Sequence, residues 1–141
     1  MITKRAIIGR IEKVDLPDLE LFGIDAKVDT GAYSSAIHCH YIKENYEEKI
    51  VSFKLLDPSH PNYNNKEIKL TDYAKVKVKS SSGTSQNRYK INTTIIIGNK
   101  SYKTNFTLTN RSKMRNPILL GRKVFSKRFF VDASQKYILN K

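Results

Sequence analysis

The run Ala26-Lys27-Val28-Asp29-Thr30-Gly31-Ala32 decides how this chain is read. It sets a carboxylate, a hydroxyl and a glycine directly after a short apolar segment of β character. A second stretch, Pro117-Ile118-Leu119-Leu120-Gly121-Arg122, answers it near the C-terminus. A three-residue match arises often by chance, and an Asp at a strand end often does no more than cap a turn. The two stretches in this order, one small β domain apart, are far more specific.

The pair resembles the two halves of a retropepsin-type aspartic protease site. That chemistry needs two carboxylates close enough to share a proton. Like charges at that distance cannot both ionise, so one stays protonated while the other acts as base. The base activates a water and the acid polarises the scissile carbonyl. Gly31 lets the backbone turn beside the carboxylate, and Thr30 can lock the loop by bonding across to its mate. Only one Asp-Thr-Gly occurs; Asp132-Ala133-Ser134 lacks the glycine. A dyad therefore requires two chains, each giving Asp29 across a two-fold axis.

The chain has 141 residues, which predicts a single domain over 1–141 with a modest core. Eight Tyr and six Phe, with abundant Ile, Val and Thr, favour strands. Alternation predicts strands over Ala6–Val14, Ile24–Val28, Ser34–Tyr41, Val51–Leu55 and Tyr102–Leu108. Asp15 to Asp18 reads as a turn, and Asp57 to Lys66 as a loop. The strongest hairpin sets Ala74, Val76 and Val78 alternating with Lys75, Lys77 and Lys79, and returns from Arg88 to Ile97. Its tip, Ser80 to Asn87, is small and polar, as a flap over substrate would be. A short helix is expected over Gly121–Lys127, and closing strands at Phe129–Val131 and Tyr137–Leu139. The sum is an all-β barrel with one or two short helices.

The net charge of +13 is uneven. Residues 1–72 hold twelve acids against ten bases, whereas 73–131 hold fourteen bases and no acid. Such a block attracts acidic partners, though a merely solvated basic face is the bland alternative. The one cysteine, Cys39, forbids an intramolecular disulfide and fits a reducing compartment. No apolar run is long enough to span a bilayer and no cleavage signal opens the chain, so a cytoplasmic protein is expected.

Five segments now carry a family resemblance. They are Asp29-Thr30-Gly31-Ala32-x-Ser34-Ser35-Ala36-Ile37-His38, Ser80-Ser81-Ser82-Gly83, Leu108-Thr109-Asn110-Arg111-Ser112-x-Met114, Leu119-Leu120-Gly121-Arg122 and Phe130-Val131-Asp132. In this order the chain resembles the bacterial retropepsin-like family labelled "ATP-dependent zinc protease" and associated with ATP-grasp glutamate ligases. The resemblance implies a closed retropepsin-like β-barrel, a catalytic aspartate at Asp29, and a role in trimming proteins with added glutamates. One position departs from the pattern: Asn110 stands where Asp is expected before Arg111, which removes a local ion pair.

The leading reading is thus a homodimeric aspartic endopeptidase. Asp29, Thr30 and Gly31 form the catalytic loop; Ala32, Ser80, Ser81, Ser82 and Gly83 are candidate substrate contacts. If the basic stretch faces the cleft, Arg88, Arg111 and Arg122 can hold substrate carboxylates by paired hydrogen bonds. Surface solubility or structural pairing is the competing role for each. A second reading is a non-catalytic basic module for ribosomal RNA or acidic protein tails, but sparse aromatics argue against stacking of single strands, and nucleic acid is the less favoured partner. A third is a zinc peptidase. His38 and His40 share one strand face while Cys39 points away, and His60 lies alone in a loop, so no metal site is expected. Ser81-Ser82-Gly83-Thr84 lacks the lysine of a phosphate loop, and no cofactor is expected.

Overall fold

The computed structural model describes residues 5–79, 83–110 and 115–139. Among these residues eleven strands and one short α-helix follow in order: β1 (Ala6–Gly9), β2 (Ile11–Leu16), β3 (Leu21–Val28), β4 (Ala36–Asn45), β5 (Ile50–Leu55), β6 (Glu67–Leu70), β7 (Tyr73–Lys79), β8 (Ser85–Ile97), β9 (Lys100–Thr109), β10 (Ile118–Leu120), α1 (Arg122–Phe125) and β11 (Phe129–Asp132). The period-two pattern explains most of them. In β8, Ile91, Thr93, Ile95 and Ile97 point inward while Asn92, Thr94 and Ile96 alternate outward.

Three-residue β10 closes the fold. It runs parallel to β3, pairing Ile118 with Ala26 and Leu120 with Val28. On its other side it runs antiparallel to β4, pairing Ile118 with Ile37. The circuit β10–β3–β2–β8–β9–β4 returns to β10, a closed barrel of six strands. β5 and β6 continue outward from β4, β7 hangs from β8, and β1 with β11 forms a separate two-stranded parallel sheet. Phe53, Phe106, Ile37, Ile91, Ile95 and Ile118 fill the interior with no exposure. Each such side chain stabilises the fold by roughly 1.5–3 kcal/mol relative to leaving it in water.

Four expectations need correction. The single strand expected over Ala6–Val14 is two strands. Gly9 N turns inward to donate to Glu12 Oε2 at 2.8 Å, and Gly9 passes so close to Gln135 that a Cβ would meet its carbonyl at 2.7 Å. The turn at Asp15–Asp18 begins later, because β2 runs to Leu16 and a 3-10 turn covers Pro17–Leu19. Tyr137–Leu139 is not a strand. Tyr137 has φ of +56°, outside the extended region, and the amides of Ile138 and Leu139 donate to the Glu12 carboxylate instead of a ladder. Ser85–Asn87, expected in the hairpin tip, pair with β7.

Candidate active site

Asp29 leaves the end of β3 with its backbone held on both sides. Val28 N donates to Arg10 O at 2.9 Å, and Asp29 N donates to Leu120 O at 2.9 Å. Its half-buried carboxylate accepts Gly31 N at 2.9 Å, and Ala32 N closes the turn onto Asp29 O at 3.2 Å. A Cβ on Gly31 would press on Asp29 Oδ1 at 3.3 Å, so glycine leaves the carboxylate undisturbed. Among the described residues no second carboxylate bonds to Asp29.

The Pro117–Arg122 stretch grips this loop from below. Gly121 N donates to the buried Ser35 Oγ at 3.0 Å, Arg122 N to Ala32 O at 2.8 Å, and Lys123 N to Tyr33 O at 3.0 Å. The Arg122 guanidinium reaches over to Thr30 O at 3.0 Å. Thr107 binds Ser35 O through both its amide and its hydroxyl. Thr30 and Gly31 stay exposed and Ala32 is half-buried. The loop is therefore rigid behind and open in front.

The expected hairpin is present as β7–β8, with Val76 opposite Arg88 and Lys79 opposite Ser85. Ser80, Ser81 and Ser82 lie outside the described residues, as does Arg111; Gly83 is exposed with φ of +89°. Arg88 is half-buried. Its Nε donates to Gln86 Oε1 at 2.9 Å and its Nη1 reaches Thr107 Oγ1 at 3.5 Å. Thr107, Ala36 and Leu119 are register partners across β9, β4 and β10, so Arg88 stands on the same wall as the Asp29 loop. Burial lowers its pKa, and no carboxylate pairs with it among the described residues. Other bases of the 73–131 block are engaged elsewhere: Lys75 binds Glu44, and Arg128 stacks 4.3 Å from the Tyr102 ring centroid.

Residues 7–141 match the RimB-like family, described as retropepsin-like aspartic endopeptidase RimB. The chain belongs to this family. Its RimB-like sequence is 37% identical over 147 residues to a protein of Shewanella pealeana named "Probable alpha-L-glutamate ligase" and 36% identical to one of the same name in Shewanella halifaxensis. In both, all of this chain aligns with 31% of the relative. A third such protein, from Parasynechococcus marenigrum, is 33% identical over 72% of this chain and 22% of its own length. The chain thus spans about a third of the curated relatives it matches. Among solved structures, the Legionella pneumophila protein Lpg0085, of unknown function, superposes with a TM-score of 0.74 at 27% identity, covering 97% of this chain and 100% of that one.

The zinc of the family label does not fit the residues present. His38 Nε2 lies 2.5 Å from Asp57 Oδ2, and His40 Nε2 lies 3.0 Å from the Tyr63 hydroxyl. Burial lowers the pKa of His40, and burial pushes the Cys39 thiol up to about 12. Among the described residues no three His, Cys, Asp or Glu side chains converge as metal ligands. Sequence reasoning missed Ser35, Thr107, Asp57 and Glu12. Only the Asp57-Pro58-Ser59 turn carried a local signal: Ser59 Oγ and N both bond Asp57, and these with His38 bring its pKa down to about 2. No helix among the described residues is long and apolar enough to cross a membrane.

Proposed function

We propose that the domain is one half of a homodimeric aspartic endopeptidase. The observation that carries this reading is the Asp29 loop: one carboxylate per chain, braced from behind by Leu120, Gly121 and Arg122 and open in front. Two such loops meeting on a two-fold axis would set their carboxyls against each other with a water between. The ionised Asp29 takes a proton from that water as oxygen attacks the scissile carbonyl. The protonated Asp29 donates to the carbonyl oxygen, giving a neutral diol. The proton taken from the water then passes to the leaving amine as the C–N bond breaks, and a diol hydroxyl gives its proton to the other carboxylate, so the dyad again holds one shared proton.

The substrate we infer is a protein carrying added or clustered glutamates. The names of the curated relatives, the excess of cations and the Arg88 guanidinium on the Asp29 wall, which meets no carboxylate among the described residues, support it. The exposed Thr30 supports pairing of two loops, and the reading places the work in the cytoplasm with no cofactor.

Asp29→Asn keeps size and hydrogen bonding but removes the acid. It is expected to slow cleavage of a glutamate-tailed protein by about a thousand-fold or more. Mixed one to one with wild type, it should cut total activity to about a quarter of the all-wild-type value, because only wild-type pairs work. A fall to about one half would mean that each chain acts alone, and wild-type rates from the pure variant would end the aspartic mechanism.

A further inference from the structure

Glu44, at the far end of β4 from the Asp29 loop, is a carboxylate whose side chain is only 8% exposed. Three donors converge on it. The Tyr73 hydroxyl lies at 2.5 Å, Lys75 Nζ at 2.9 Å and the Tyr89 hydroxyl at 3.2 Å. Lys75 also lies 4.4 Å from the Tyr46 ring centroid and donates to its hydroxyl at 3.3 Å. These donors lower the Glu44 pKa, and Glu44 in turn raises that of Tyr73 to about 12.

The place of this cluster in the strand registers gives it meaning. β8 pairs with β9 from Ile97 back to Tyr89, opposite Leu108. Before Tyr89, the strand pairs with β7 alone, and β7 pairs with no strand but β8 among the described residues. The hairpin therefore parts from the barrel at the Lys75–Tyr89 rung. That is the rung Glu44 holds, gripping both strands at once. From Glu44, β4 leads back through a bend at Tyr41, whose φ is +52°, to Ser35, whose hydroxyl accepts Gly121 N behind the Asp29 loop. A hollow of about 330 Å³ lined by Tyr46, Lys77 and Arg88 opens beside the rung, so no other described residue fills that side.

We propose that Glu44 is the hinge post of the hairpin, a positioning residue that sets the angle at which β7 and β8 leave the barrel over the Asp29 loop. Its catalytic consequence rests on the peptidase reading; its mechanical consequence does not. A two-stranded ribbon is marginal on its own and takes its orientation from whatever fixes its base. The tie is tertiary rather than backbone, so it can be removed without touching any ladder.

The experiment compares Glu44→Gln and Tyr73→Phe with wild type by hydrogen–deuterium exchange and by steady-state cleavage of a glutamate-tailed protein. Exchange is expected to quicken about tenfold at amides 76–79 and 85–88 while β9 and β2 keep their protection. KM should rise several-fold with kcat held within about two-fold, because the hairpin contacts substrate and not the scissile bond. Unchanged exchange in both variants, or a uniform rise over every strand, would overturn the proposal. So would a fall in kcat at constant KM. If the exchange result holds while wild type cleaves nothing, the hinge stands and the peptidase reading falls.

Discussion

Gly121→Ala probes how the two signature stretches are joined. The backbone at Gly121 is extended, with φ of −88° and ψ of 170°, so any residue tolerates its conformation. The obstacle is space. A Cβ there would stand 2.4 Å from Tyr33 O, 2.5 Å from Ser34 O and 2.6 Å from Ser34 C. Ordinary contact begins near 3.4 Å, so the loop must retreat by about 1 Å. The atoms in the way are backbone and cannot rotate aside. Three hydrogen bonds cross the same gap, from Gly121 to Ser35, Arg122 to Ala32 and Lys123 to Tyr33. Overpacking costs about 1–3 kcal/mol, and weakening the buried bond from Gly121 to Ser35 about 1 more. A total of about 3 kcal/mol lowers Tm by roughly 10 °C in a domain of this size. A 1 Å shift of the Asp29 loop costs about a hundred-fold in turnover. A thermal melt followed by circular dichroism, with cleavage measured well below the transition, reads both. Gly23→Ala serves as control: its Cβ meets nothing within 4 Å, and it sits at the opposite end of β3 from Asp29. Its positive φ should cost about 1 kcal/mol and leave turnover alone. A Gly121→Ala melt within about 2 °C of wild type would refute the close packing of the loop.

Two further predictions concern buried or half-buried acids. Glu12, with no exposure, accepts the amides of Gly9, Ile138 and Leu139. Glu12→Ala strands three donors and should destabilise by about 3 kcal/mol or more in urea titration, with early proteolysis of residues 133–139; a loss under 1 kcal/mol would contradict that anchoring. The Asp57 carboxyl is depressed to about 2 from the ordinary 3.8. A depressed folded-state pKa means the stabilisation is complete above about pH 4 and is lost as pH falls through about 2. Asp57→Asn should therefore remove on the order of 1–2 kcal/mol of stability near neutrality and flatten the urea midpoint between those two pH values; an unchanged slope would show that the His38 and Ser59 contacts are not maintained in solution.

What could be read from the chain beforehand follows from the range of each interaction. The β3–Asp29 junction, the β7–β8 hairpin and the barrel class were legible because strand alternation and the Asp-Thr-Gly turn are local. β6 escaped notice because Glu67–Leu70 is short and follows the Asn-rich loop. Tyr137–Leu139 looked like a strand by composition, but its amides had a carboxylate 126 positions away to satisfy. Glu12 and Glu44 read as ordinary polar positions, the first beside Lys13 and the second between Lys43 and Asn45. Nothing near them in sequence says that Tyr73, Lys75 and Tyr89 converge on one and three amides on the other. The His38–Asp57 contact was hidden for the same reason, and the histidines were weighed against metal rather than against an acid.

The Glu12 knot draws the first and last described segments together, and Arg5, Ala6 and Leu139 border one shared hollow. Entry and exit therefore sit side by side on the surface. A unit built that way behaves as a plug-in cassette: a longer polypeptide can pass through it, or a few linking residues can circularise it, without any strand of the barrel changing place.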